Sequence, residues 1–113
     1  MSENNANGVQ KQIAQDVASN PVIIYVKGTP AMPQCGFSKG VMDVFERLGV
    51  PFKTVDVLSD PLIREGIKQF TKWPTIPQVF IKGKFVGGYD IIKDLYSKGQ
   101  LQKMVTETTP AKN

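Results

Sequence analysis

Cys35 is the residue of this sequence best suited to chemistry, and it is the only cysteine among the 113 residues. It follows a loop that contains two prolines, and it directly precedes an amphipathic segment that begins at Gly36. Unpaired backbone N–H groups and the positive end of the helix dipole meet at a helix N-terminus, and both favour a thiolate. A buried core cysteine is the alternative for a lone thiol. The position of Cys35 favours an exposed, activated nucleophile.

The residue three positions after the thiol limits the reactions that Cys35 can carry out. A two-cysteine redox site has its second thiol there, and that thiol resolves the mixed disulfide. This sequence has Ser38 at that position, and a hydroxyl group cannot resolve a disulfide. Any turnover therefore needs a thiol from outside the chain.

Composition excludes several other classes of site. The sequence has no histidine, which removes the usual general base and every histidine-containing metal site. One cysteine allows neither an internal disulfide nor a structural zinc site from this chain alone, and it indicates a reducing compartment. No apolar run approaches the roughly 18 residues that span a membrane. The net charge of +4 favours an anionic partner. Because no basic stripe with interleaved aromatics is present, we predict no nucleic-acid binding.

Two kinds of periodicity predict the elements that position Cys35. Apolar residues three or four apart predict helices, and β-branched or aromatic runs predict strands. The predicted helices cover 9–19 and 36–48, begin at 59–61, run through 91–96 and end near 101–105. The predicted strands are 22–26, 52–57, 78–81 and 84–86. Since crossovers are right-handed and 82–83 is a tight hairpin, we expect an α/β, thioredoxin-like fold with helices flanking a four-stranded mixed sheet.

Both ends of the chain are polar, and the first residues lack the apolar segment of a signal peptide. The length fits a single domain. We therefore predict one folded domain at 9–108, between flexible tails at 1–8 and 109–113.

Four motifs together resemble those of the monothiol glutaredoxins of the CGFS class. They occur in the family's order and spacing, as KGTP at 27–30, CGFS at 35–38, WPTIPQ at 73–78 and FVGGYD at 85–90. The resemblance covers about residues 20–105 and is to the single-domain type. It implies a binding site for glutathione, a tripeptide with two carboxylates and one ammonium group.

The resemblance implies that cations hold the carboxylates of glutathione beside Cys35. Lys27 would stabilise both the thiolate and the glycine carboxylate of glutathione, although its position also fits a solvated loop lysine. Arg64 would bind a glutathione carboxylate through its planar guanidinium group. Lys68 and Lys72 follow Arg64 at four-residue spacing, a pattern typical of a solvated charged face.

Two further segments complete the implied glutathione site. Thioredoxin-like folds have a cis proline at the position of Pro77, and the backbone of Ile76 would pair with the cysteine moiety of glutathione. Backbone N–H groups at Gly88 and Tyr89, with the Asp90 carboxylate, would hold the γ-glutamyl end. Asp90 also fits a simpler role, as a negative charge at a helix N-terminus.

Two residues stand apart from this implied site. Tyr89 departs from the family pattern, because most CGFS proteins have a second cysteine there. An internal disulfide driven by glutathione therefore cannot be part of the mechanism of this chain. Trp73 fits packing or loop anchoring better than ligand binding.

The resemblance implies two alternative functions. The first is a carrier of a [2Fe–2S] cluster, which takes four thiolates. Cys35 of two chains and two bound glutathiones supply them, so the cluster would form a homodimer. The carrier would deliver its cluster to iron–sulfur acceptor apoproteins, with BolA-like proteins as further partners. The second is a glutathione-dependent oxidoreductase that reduces mixed disulfides with one cysteine, an activity that is weak in this family.

The compartment follows from the same resemblance. A lone thiol and a glutathione site both indicate a reducing interior. We expect the protein in the mitochondrial matrix, as a processed chain, or in the cytoplasm.

Overall fold

Strand β1 (Val22–Val26) lies inside the sheet because its sequence is apolar on both faces. The computed structural model describes residues 2–106. In it, β1 pairs in parallel with β2 (Lys53–Asp56) and antiparallel with β3 (Gln78–Ile81), and β3 pairs antiparallel with β4 (Lys84–Gly87). The strand order is β2-β1-β3-β4. The predicted mixed four-stranded sheet is confirmed.

Five helices cover the two faces of this sheet. They are α1 (Ser2–Ser19), α2 (Gly36–Leu48), α3 (Pro61–Thr71), α4 (Tyr89–Ser97) and α5 (Gln100–Thr106). Alternate residues of β1 point to opposite faces. Ile24 therefore packs with residues of α2, α4 and α5, and Ile23 packs with residues of α1 and α3. The thioredoxin-like fold expected from the sequence is confirmed, with both faces of the sheet buried.

Helix α1 begins earlier than the sequence pattern predicts. It starts at Ser2 rather than at Val9, so residues 2–8, predicted as part of a flexible tail, are helical. The apolar residues at helical spacing begin only at Val9. A helix that has already nucleated, however, extends at low cost through polar residues. The predicted tail at 109–113 lies outside the described residues. The 9–108 boundaries stay a prediction.

No helix within residues 2–106 is both long enough and apolar enough to cross a membrane. The longest helix, α1, has 18 residues and is predominantly polar.

Candidate functional site

Cys35 is the N-cap residue of α2 and is partly buried. Its backbone is extended, with φ −154° and ψ 130°. Partial burial raises the pKa of the thiol, but hydrogen bonds from the backbone N–H groups of Ser38 and Phe37 lower it. The Ser38 hydroxyl and the charge of Lys27 lower it further, and the net pKa lies below the ordinary value. The direction of this shift agrees with the activated thiol that the sequence predicts at this helix N-terminus.

Ser38 connects the thiol to Lys27. Its side chain is fully buried, and its Oγ accepts a hydrogen bond from the Lys27 backbone N–H at 3.0 Å. The same hydroxyl lowers the pKa of the Cys35 thiol. From the sequence, Ser38 is only the residue that stands in place of a second thiol. In the folded chain, Ser38 also ties the backbone of Lys27 to the first turn of α2.

A groove of about 380 Å³ opens beside the thiol. It is lined by Lys27, Phe37, Arg64, Lys68, Trp73, Pro74, Thr75, Ile76, Pro77, Gly88, Tyr89, Asp90 and Ile91. Six of the seven predicted site residues are among them. The seventh, Cys35, is not a lining residue, but Phe37, two residues after it in the sequence, is one. The groove therefore joins residues from five separate segments of the chain.

The charge of the groove is predominantly positive. Lys27, Arg64 and Lys68 line it, and Asp90 is the one acidic residue among its described lining residues. Lys68 also forms an ion pair with Glu65, at 3.5 Å. Lys72 does not line the groove, because it leaves the helical path at the end of α3 with φ +62°. The groove therefore suits an anionic ligand.

The loop before β3 presents free backbone groups to the groove. The Ile76–Pro77 peptide bond is cis, as the resemblance implies. Neither the N–H nor the C=O group of Ile76 has a hydrogen-bond partner among residues 2–106. The side chain of Ile76 packs in the core, and the residue also lines the groove. An extended peptide could pair with these two groups.

Gln78 holds this loop in place, a role that the sequence pattern does not predict. Its fully buried side chain donates from Nε2 to the carbonyl oxygens of Trp73, at 2.8 Å, and Thr75, at 3.0 Å. Its Oε1 accepts a hydrogen bond from the Thr71 hydroxyl at 2.8 Å. In the sequence, Gln78 is the last residue of the WPTIPQ motif and a polar residue at the start of an apolar strand, but neither feature indicates these hydrogen bonds.

The described residues do not hold a metal site of their own. No group of three or more histidine, cysteine or acidic side chains is placed to bind a metal within the described part of the chain.

The sequence of this chain is similar to those of known glutaredoxins. The sequence profile described as Glutaredoxin matches residues 22–86, which is more than half of the chain. An uncharacterized monothiol glutaredoxin, ycf64-like, of Synechocystis is 53% identical over 94 residues, covering 83% of this chain and 88% of that protein. The chain belongs to the monothiol glutaredoxin family.

Similarity to other glutaredoxins covers most of the chain and its fold. Monothiol glutaredoxin-S4, mitochondrial, of rice is 48% identical over 93 residues, which are 82% of this chain and 50% of that protein. This chain thus spans half the length of the rice relative. The crystal structure of a buckwheat glutaredoxin–glutathione complex has a TM-score of 0.84 and 29% identity, covering 94% of each chain.

Tyr89, which lines the groove, also contacts α2. Its ring contacts Phe37 with ring centroids 5.3 Å apart, and Lys93 Nζ lies 5.8 Å from its ring centroid. A Cβ atom at Gly40 would come within 2.6 Å of the ring, so the ring lies directly on the backbone of α2. Tyr89 therefore packs α4 against α2 near the thiol, in addition to lining the groove.

We expect Ser38→Ala to raise the pKa of the Cys35 thiol more than Lys27→Ala does. The Ser38 hydroxyl lowers the pKa of the thiol more than the charge of Lys27 does. The thiolate is the reacting form, so a raised pKa moves the midpoint of the iodoacetamide rate profile to higher pH. At neutral pH the alkylation rate of Ser38→Ala should fall at least about threefold.

Lys39→Ala is the matched control for this experiment. Lys39 lies on the first turns of α2, but its ammonium group pairs with Asp43 at 2.8 Å rather than with the thiol. Its midpoint should equal that of the unmodified protein. An unchanged midpoint in Ser38→Ala would show that the hydroxyl does not stabilise the thiolate.

Proposed function

We propose that this protein binds glutathione in the groove and carries a [2Fe–2S] cluster as cargo between two chains. The observation that carries the proposal is the pairing of one activated thiol with a cationic groove and free peptide groups. Such a site supplies one thiolate and a place for a second thiol, held by a peptide. The buckwheat relative of known structure is a complex with glutathione, which supports this choice of ligand.

Each part of glutathione has a suitable partner in the groove. Arg64 and Lys27 both line the groove and would bind the glycine carboxylate. The Ile76 N–H and C=O groups would pair with the backbone of the cysteine moiety, which directs the ligand's sulfur towards Cys35.

The start of α4 would hold the γ-glutamyl end of glutathione. No side chain caps this helix at Gly88, and Tyr89 and Asp90 form its first turn. Its first N–H groups are therefore available to a carboxylate. The Asp90 carboxylate would accept hydrogen bonds from the γ-glutamyl ammonium group. Both charged groups at this end of the ligand thus find partners of opposite sign.

Ligand chemistry determines how the cluster is held. A [2Fe–2S] cluster takes four thiolates, and one chain with one glutathione supplies two. Two chains with two glutathiones therefore complete the set, so the cargo requires a homodimer. Met32 is 68% exposed and Phe37 is 60% exposed, on either side of Cys35. These exposed apolar side chains close to Cys35 in the sequence support a contact with a second chain at this face.

A cluster held in this way suits delivery to other proteins. Each chain contributes one protein–iron bond, and the other bonds belong to a small, exchangeable peptide. We propose iron–sulfur apoproteins as acceptors and a BolA-like protein as a further partner. We also propose the mitochondrial matrix or the cytoplasm as the compartment. The rice relative named as mitochondrial supports the first of these.

A one-cysteine oxidoreductase is the second candidate, and the lowered pKa of Cys35 favours it. The Cys35 thiolate would attack the glutathione sulfur of a mixed disulfide, breaking the S–S bond and releasing the substrate thiolate. A second glutathione thiolate would then attack the sulfur of the glutathione bound to Cys35. This step would release glutathione disulfide and restore the Cys35 thiolate.

Anaerobic reconstitution with iron, sulfide and glutathione tests the carrier function. We expect a dimer with one [2Fe–2S] cluster per two chains and one glutathione recovered per chain. Absorbance, iron and sulfide analysis, and mass under native conditions measure these ratios. The matched control omits glutathione and should remain colourless and monomeric. A cluster that assembles fully without an added thiol would contradict the proposal, whereas turnover without a cluster would favour the oxidoreductase.

A further inference from the structure

Asp56, the last residue of β2, reaches across to the loop that follows β1. Its Oδ1 accepts a hydrogen bond from the backbone N–H of Gly28 at 2.9 Å and another from Leu58 at 2.9 Å. The pairing of Val26 with Asp56 at the end of the parallel ladder brings this carboxylate next to the loop. The Val57 N–H donates to the Val26 carbonyl at 2.9 Å and fixes the same approach. Asp56 thus ties two parallel strand ends together.

The residue that Asp56 holds is directly next to Lys27. The Lys27 N–H donates to Ser38 Oγ at 3.0 Å, and the Lys27 carbonyl accepts from the Gln34 N–H at 2.9 Å. With the bond from Gly28 to Asp56, three successive backbone groups are fixed. One of these bonds leads to Gln34, the residue before Cys35, and another leads to Ser38, three residues after Cys35. The path from the Asp56 carboxylate to the thiol is therefore continuous.

We propose that Asp56 is a positioning residue that sets the placement of Lys27 and Cys35 through the Gly28 N–H. The proposal goes beyond the cluster and glutathione chemistry, because it concerns the reactivity of the free thiol in the unliganded protein. It would hold equally for a cluster carrier or an oxidoreductase.

The hydrogen bond and the charge of Asp56 have opposite expected effects on the thiol. A nearby negative charge disfavours a thiolate, so loss of the charge alone would make Cys35 more reactive. Loss of the hydrogen bond would release the loop, weaken the contacts that favour the thiolate and make Cys35 less reactive. Asn keeps an oxygen acceptor in the position of Oδ1 without the charge. Asp56→Ala and Asp56→Asn therefore separate the two effects.

The test measures the iodoacetamide alkylation rate of Cys35 against pH in the metal-free protein. Asp56→Ala should lower the rate at neutral pH about fivefold and shift the midpoint of the profile upward. Asp56→Asn should restore the rate to within about twofold of the unmodified protein. A role through charge predicts the opposite sign, a faster reaction in both variants.

Asp60→Ala is the matched control. Like Asp56, Asp60 accepts a hydrogen bond from the backbone N–H of the residue two positions later, which is Leu62, at 3.0 Å. Within residues 2–106, its side chain has no hydrogen bond to the loop between Lys27 and Cys35. It should lose comparable stability in thermal unfolding without any change in the alkylation profile. If circular dichroism shows that Asp56→Ala is unfolded, Asp56→Glu replaces it in the test. Asp56→Glu displaces the acceptor oxygen by one methylene group, and it should also react more slowly than the unmodified protein. The proposal would be overturned if folded Asp56→Ala or Asp56→Glu reacted at the rate of the unmodified protein. It would also be overturned if Asp56→Asn reacted as slowly as Asp56→Ala.

Discussion

Cys35→Ser is expected to abolish cluster binding completely while leaving the fold intact. The variant has no thiolate, and the sequence has neither another cysteine nor any histidine. The remaining protein ligands are carboxylates and hydroxyls, which bind such a cluster poorly. Reconstitution with iron, sulfide and glutathione should therefore give no chromophore and no dimer.

The stability of Cys35→Ser should be unchanged or slightly higher. The thiol is partly exposed and belongs to neither core cluster, so its loss removes little packing. Cys35 is the N-cap of α2, and serine is among the preferred residues at that position. A serine hydroxyl there is worth about 0.5–1 kcal/mol over a residue that does not cap. Thermal unfolding measures this gain, and a chromophore that survives in the folded variant would refute Cys35 as the ligand.

The motifs predicted the groove lining well because each motif residue lies at an element boundary. Lys27 follows the end of β1, Ile76 precedes β3 and Asp90 lies in the first turn of α4. Strand ends and helix starts meet at one edge of such a sheet, so correct elements placed these residues together. The same reasoning could not exclude Lys72 from the groove lining. The pattern of apolar residues does not predict the positive φ of Lys72 at the end of α3.

The supporting hydrogen bonds could not be predicted from the sequence. Asp56 lies 28 residues after its partner Gly28, and the pairing depends on the register of two parallel strands. Gln78 is bound through loop carbonyls whose orientation no propensity encodes. Side-chain type and spacing therefore identify the groups that contact a ligand, whereas the groups that hold them in place depend on tertiary geometry.

Gly28→Ala is expected to destabilise the protein by about 3 kcal/mol and to slow Cys35 alkylation strongly. Gly28 has φ +96°, a backbone conformation that residues with a side chain rarely adopt. A Cβ atom there would lie 2.5 Å from the Met32 carbonyl oxygen and 2.6 Å from the Gln34 nitrogen. Both are backbone atoms, so no rotamer change relieves the contact, and the loop between Lys27 and Cys35 must move.

Gly36→Ala is the matched control, because Gly36 is next to Cys35 yet a Cβ atom there would meet no atom within 4 Å. It lies at the first position of α2, where alanine is a better helix former than glycine. Its stability should therefore equal or exceed that of the unmodified protein, with an unchanged alkylation profile. Denaturant unfolding and iodoacetamide kinetics on both variants measure the difference. If Gly28→Ala kept the alkylation rate of Gly36→Ala, the placement of the thiol would not depend on the shape of this loop, and the hydrogen bonds around Lys27 would have no part in activating Cys35.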